Sequence, residues 1–129
     1  MPPTNVGAVE ITLIDQQAGF AEGALVTGAG RLLFVAGQVP WDADTGVPAD
    51  FESQCRLAWR NVLSVVDNAG MSVTNLVKVT IVLSDRKYGP ANARIRQEVL
   101  GDHSPAMTII IGGVYNEDWL LAIDAVAAG

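Results

Sequence analysis

Hydrophobic residues along this chain recur with two spacings, every second position and every third or fourth, and the changes between them divide it into elements. Residues 8–14 (AVEITLI) and 24–27 (ALVT) predict two strands. Gly28-Ala29-Gly30 predicts a turn, and Leu32 to Ala36 a third strand. A loop follows that contains Pro40, Asp42, Asp44-Thr45-Gly46 and Pro48. Asp50 then stands where a helix N-cap is wanted, because its carboxylate can accept from the amides of the first turn. Phe51, Cys55, Ala58, Val62, Val65/Val66 and Ala69 recur at helical spacing, and Gly70 takes the left-handed position that closes a helix. Val77, Val79, Ile81 and Leu83 alternate as a strand. Pro90 opens a second helix with Ala91, Ile95 and Val99 on its inner stripe, and Gly101 ends it. Residues 107–114 (MTIIIGGV) and 119–127 (WLLAIDAVA) predict the last two strands.

The order βββ-α-β-α-ββ predicts an α+β domain, and it has a physical consequence. Two amphipathic helices can cover one face of a sheet, yet several strands are apolar on both faces. In the last strand Trp119, Leu121, Ile123 and Ala125 point one way, and Leu120, Ala122, Asp124 and Val126 the other. A second face this apolar must be buried by something. With no third helix in the pattern, the expected cover is another copy of the chain.

Composition narrows the classes of function. The 129 residues are expected to form one domain, 1–129, large enough for its own core. Half are hydrophobic and 17% charged, which is a globular balance. The net charge of −6, with eight Lys and Arg scattered along the chain, argues against nucleic acid as a partner. The single cysteine, Cys55, excludes an internal disulfide framework and suits a reducing cytosol. No basic stretch precedes an apolar core at the N-terminus, and no apolar run reaches the roughly 18 residues of a membrane span, so a cytoplasmic protein without membrane contact is expected.

Self-evident catalytic motifs are few. Asp102-His103-Ser104 contains the residue types of a hydrolytic triad, but adjacent side chains cannot align as nucleophile, base and orienter, and the segment reads as a polar loop. His103 is the only histidine and Cys55 lies within a helix, so neither a metal nor a cofactor is expected. Gly28-Ala29-Gly30 and Gly112-Gly113 lack the strand–loop–helix context of a phosphate site. Trp41, Tyr115 and Trp119 form a scattered aromatic set that reads as packing, with Trp41 and Tyr115 the two that could instead line the rim of a binding cleft.

Four short stretches occur in a fixed order: Ala36-Gly37-Gln38; Asn61-Val62 with Ala69-Gly70; Val77-Lys78-Val79-Thr80; and Pro105-Ala106 closing on Ile123-Asp124-Ala125-Val126-Ala127. Together, from about Arg31 to Ala127, they resemble the RidA (reactive intermediate deaminase, YjgF-like) family. The resemblance implies a chorismate-mutase-like, six-stranded mixed sheet with two helices on one face, assembled as a homotrimer with a ligand cleft at each subunit interface. It implies substrates that are small imino or enamino acids. In the family an arginine after the Pro-Ala pair grips the substrate carboxylate through two charged hydrogen bonds. Here that position is Met107, which has neither charge nor donor. The family's Glu-x-Glu-Ala-x-Ala pattern, whose first acid helps to place the attacking water, reads Ala122-Ile123-Asp124-Ala125-Val126-Ala127. The serine before Gly-Gln is Ala36, the tyrosine of the first hairpin falls at about Gly23, and Asn92 matches a family asparagine.

The cleft expected from this resemblance is lined by Met107, Ala122, Asp124, Ala36, Gln38, Trp41, Asn92 and Tyr115. Each also has a plainer reading. Met107 on a strand is ordinary packing unless the cleft exists. Asp124, an acid inside an apolar strand, is expected to need a hydrogen-bonding partner or a raised pKa, and a structural role suits it better than catalysis. Asn92 is expected to hydrogen-bond from helix to loop. Two classes of function stay open: a hydrolase acting on an imine, enamine or related small molecule, or a non-catalytic trimer that binds a small, mostly neutral ligand or a protein partner.

Overall fold

The computed structural model describes residues 9–17, 20–28 and 30–129. Its strands are β1 (Glu10–Gln17), β2 (Phe20–Thr27), β3 (Leu32–Gln38), β4 (Leu76–Leu83), β5 (Ala106–Ile111) and β6 (Leu121–Ala128), and its helices α1 (Phe51–Asn68) and α2 (Gly89–Leu100). The element order is the one the periodicity predicts. Boundaries differ where the pattern misleads. β1 and β2 pair over their whole lengths, from Glu10 with Thr27 to Gln17 with Phe20, so the hairpin runs beyond the apolar cores of 8–14 and 24–27. The apolar run 107–114 leaves the sheet at Ile111, and Trp119 belongs to the connection before β6. Ala8 and Ala29 of the predicted first strand and turn lie outside the described residues.

The six strands form one mixed sheet in the order β1-β2-β5-β4-β6-β3. β5 runs parallel to both β2 and β4, and the other pairs are antiparallel. Neighbouring parallel strands need a crossover, and α2 supplies it between β4 and β5. α1 packs over β6 and β3 and against α2. Phe51, Cys55, Ala58, Trp59, Val62 and Val66 of α1 meet Val79, Ile81 and Leu83 of β4 and Leu121, Ile123 and Ala125 of β6 in the core. The caps follow the sequence. Asp50 accepts from the Ser53 amide at 2.9 Å, a hydrogen bond that also holds its carboxyl below the usual carboxylate range. Gly70 follows α1 with φ 73°, where a side chain would be strained.

Among the described residues no helix lies on the opposite side of the sheet. Leu32 and Phe34 of β3, Leu25 of β2, Ile14 of β1 and Ile110 of β5 are exposed, Phe34 by 73%. Register places them on the same side as Ala122, Asp124 and Val126 of β6.

One polar side chain inside the core holds two loops in place. Gln54 of α1 is buried, and its Nε2 donates to the carbonyls of Pro48 (2.8 Å) and Asp118 (3.0 Å) while Oε1 accepts from the Leu120 amide (2.8 Å). Removing it strands three backbone groups. Gln54→Leu is expected to cost about 2–4 kcal/mol of unfolding free energy in urea denaturation. A loss below about 0.5 kcal/mol, the size of an ordinary surface change, would show that water replaces the staple.

Candidate functional site

Strand register decides which of the candidate residues can meet. Met107, Ile109 and Ile111 pair with Val79, Ile81 and Leu83, so they point to the helix side of the sheet. α1 lies over β6 and β3 at the far edge and leaves this part of β5 only partly covered. Met107 is half-buried against the core, whereas Ile109 and Ile111 remain 43% and 40% exposed. Ala122 pairs with Val82 and Asp124 with Thr80, on the helix-free side. Between β3 and β6 the register slips: Val35 pairs with Ala125 but Gln38 with Ile123, so Ala36 and Gly37 bulge opposite Asp124. Ala36 is exposed there, and its carbonyl accepts from Gln38 Nε2 at 3.1 Å.

The candidate set therefore falls on two faces. Ala36, Ala122 and Asp124 share the open side, and Met107 lies through the sheet from them. A single chain does not bring these positions together. Asp124 also departs from expectation. It is exposed and belongs to a polar stripe with Thr80, Thr108 and Lys78, whose Nζ donates to Thr108 Oγ1 at 2.6 Å. The acid needs no buried partner in the single chain because its strand is open on that face.

Around the edges, the loop after β3 is pinned by Asn61, whose Nδ2 donates to the carbonyls of Val39 (2.9 Å) and Trp41 (3.1 Å), and the Trp41 ring stays exposed. Asp42 of that loop pairs with Arg60 at 2.7 Å; the Asp44 amide foremost, with help from Thr45 and Arg60, holds its carboxyl below the usual range. Tyr115 is 98% exposed, so it is not packing within its own chain. Asn92 makes no helix-to-loop bond. It is wholly buried in α2, and neither Nδ2 nor Oδ1 has a partner among the described residues. His103 Nε2 lies 2.7 Å from the Leu76 carbonyl; because that oxygen can only accept, the ring nitrogen donates and ties the loop to the start of β4. Among the described residues no cluster of three or more His, Cys, Asp or Glu could hold a metal ion, and no helix is long and apolar enough to cross a membrane.

The family model for Endoribonuclease L-PSP matches residues 11–129. Over 101 residues the chain is 33% identical to a RutC family protein of Pyrococcus horikoshii, covering 77% of this chain and 80% of that one. It is 30% identical over 123 residues to the 2-iminobutanoate/2-iminopropanoate deaminase of Escherichia coli, covering 90% and 95%. The crystal structure of E. coli TdcF with bound serine superposes with a TM-score of 0.73 at 27% identity, over 85% of this chain and 87% of that one.

Cys55 is the one thiol, and its surroundings argue against nucleophilic use. It has no exposed surface, and burial pushes its pKa up to about 12. Since the thiolate is the reactive form, the native protein at pH 8 is expected to give almost no colour with a thiol reagent over an hour. One equivalent should react in denaturant. Rapid labelling of the native protein would show that α1 opens readily.

Proposed function

The chain belongs to the RidA (YjgF-like) family, and we propose that it works as a homotrimer whose intersubunit cleft takes a small, mostly neutral molecule. The cleft either binds that molecule or hydrolyses it by a reaction other than imino-acid deamination. The observation that carries this reading is the division of the matched positions between two faces. A cleft containing both Met107 and the Ala36–Ala122–Asp124 group requires the helix side of one copy to meet the open side of another. Exposed Phe34, Leu32 and Ile110 support such a contact, since burying each large apolar side chain is worth roughly 1.5–3 kcal/mol.

The side chains that would meet favour a neutral ligand body. Met107 supplies a polarisable apolar surface in place of a charged fork. Ala36 and Ala122 offer neither hydroxyl nor carboxylate. Asp124, two residues beyond Ala122 on the same face, is the one ionisable group of the open-side set. If water is to be activated, it is the available base, assisted by backbone amides at the bulge. RNA is not part of this reading, whatever the family model's description. Of eight Lys and Arg, three (Arg56, Arg60 and Arg94) are already paired with acids. A reducing cytosol suits the buried, unpaired Cys55.

A second reading, an enamine or imine deaminase, draws on one observation: a relative bearing that name matches 90% of the chain. The two readings separate in a coupled dehydratase assay. Loss of a bidentate charged contact and of an acid near the water lowers the rate for 2-iminobutanoate by roughly 10- to 100-fold or more. A rate equal to that of an arginine-containing relative would establish the deaminase reading. Light scattering at micromolar concentration is expected to give about three times the chain mass, and a monomer would remove the intersubunit cleft.

A further inference from the structure

The side chains of α2 divide by the turn of the helix. Arg94 and Glu98 face α1, where Arg94 Nη2 lies 3.1 Å from Glu52 Oε2 and Glu98 Oε2 lies 2.8 Å from Arg56 Nη1. Arg96 stands about 160° around the helix from both, on the flank turned away from α1. It shares that stripe with Asn92, one turn earlier. A helix joining two adjacent parallel strands runs back against them, and here His103 ties the end of the crossover to Leu76 at the start of β4. Arg96 lies four residues before the end of α2, and five residues separate that end from the first residue of β5, Ala106, so this flank of the helix faces the end of the sheet where β5 begins.

Several groups at this spot lack a structural counterpart. Arg96 is half-buried, its Nε is shielded from solvent without a hydrogen-bond partner, and it makes no ion pair among the described residues. Arg56, Arg60 and Arg94 are all paired. Desolvation holds the Arg96 pKa below its ordinary value. Both amide atoms of Asn92 are buried and unpartnered on the same stripe. The chain has fourteen Asp and Glu against eight Lys and Arg, so acids are not scarce, yet none pairs with Arg96 among the described residues. Withdrawing a guanidinium from water without a counter-charge is costly, and buried polar atoms in native proteins are matched by protein, water or ligand.

We infer that Arg96 anchors an anionic group of the ligand, a carboxylate or similarly planar oxyanion taken by its fork, with the Asn92 amide behind it reached through a bridging water and the ligand's apolar part lying on Met107 and Ile109. The anchor comes from a helix and not from the strand position after Pro105-Ala106. It deepens the reading above, giving the mostly neutral molecule one negative end, but it needs the side chains of a single chain only, so it stands or fails apart from the trimer.

Benzoate and benzamide, nearly equal in shape and different in charge, test it on the full chain. Arginine Nε–H signals are followed by nuclear magnetic resonance, with the Arg96 signal assigned by its loss in Arg96→Gln. Benzoate is expected to move that signal saturably, and benzamide is not. Arg96→Gln should weaken benzoate binding roughly tenfold or more and leave any benzamide binding unchanged. Arg96→Lys, which keeps the charge without the fork, should fall between. Benzoate affinity equal in the parent chain and in Arg96→Gln would overturn the inference, as would no response at the Arg96 Nε–H. So would an Arg96→Gln change in light-scattering mass without benzoate binding, since the counter-charge would then belong to another copy. A trimeric mass with no benzoate response removes the anchor and leaves the cleft reading intact, whereas a monomer that binds benzoate through Arg96 does the reverse.

Discussion

Two helices lie over a sheet of six strands, and that shortage of cover governs what the rest of the molecule must do. α1 takes the β6–β3 edge and α2 packs beside it, so the helix side of β5 is left half open, and no described helix covers the reverse side. The two uncovered surfaces differ in kind. On the reverse side are large aliphatic and aromatic side chains around a polar stripe. On the helix side of β5 is a smaller apolar strip, Met107, Ile109 and Ile111, and α2 carries an arginine without an ion pair among the described residues. A chain with one such surface would stack face to face. A chain with two unlike surfaces can close a ring, because one surface of each copy can meet the other surface of the next.

This arrangement also reconciles two readings of Met107. As a strand residue in register with Val79 it packs against its own core, which is why methionine is tolerated there. As a half-buried residue at the border of the uncovered strip it is available to a ligand as well. Packing and contact are not alternatives at a position that lies on an edge of coverage. Tyr115 is the contrary case, with too little contact in its own chain for packing to explain it.

The periodic elements were legible in the sequence because each has one buried face. α1 shows its stripe from Phe51 to Val66 with an acidic cap before it and a glycine after it. The far end of the first hairpin was not legible. Asp15, Gln16 and Gln17 sit in a ribbon wetted from both sides, where no alternation is required. Gln54 was hidden for another reason: its partners are Pro48, Asp118 and Leu120, and the last two lie more than sixty positions away. The faces of the candidate site were the least legible of all. Whether Ala36 lies with Asp124 or across from it depends on a bulge, and whether Met107 meets Ala122 depends on register across three strands. Asp124 shows the cost of reading one strand alone, since an acid among apolar neighbours suggests burial only if both faces are covered.

The stripe of Lys78, Thr80, Thr108 and Asp124 limits what the open side can accept. An entirely apolar face would bind any apolar surface of suitable shape. Here a cover must also meet Lys78 and Asp124 at the stripe, with Glu10 of β1 on the same face, and taking any of these charges out of water unpaired costs several kcal/mol. Each copy brings one charge of each sign to the stripe, so several copies around a shared axis can be neutral there without outside help. A foreign apolar surface would have to match these charges in position as well as sign. In the proposed assembly the polar residues would thus contribute less to the strength of association than to its selectivity, favouring the chain's own copies over other hydrophobic partners.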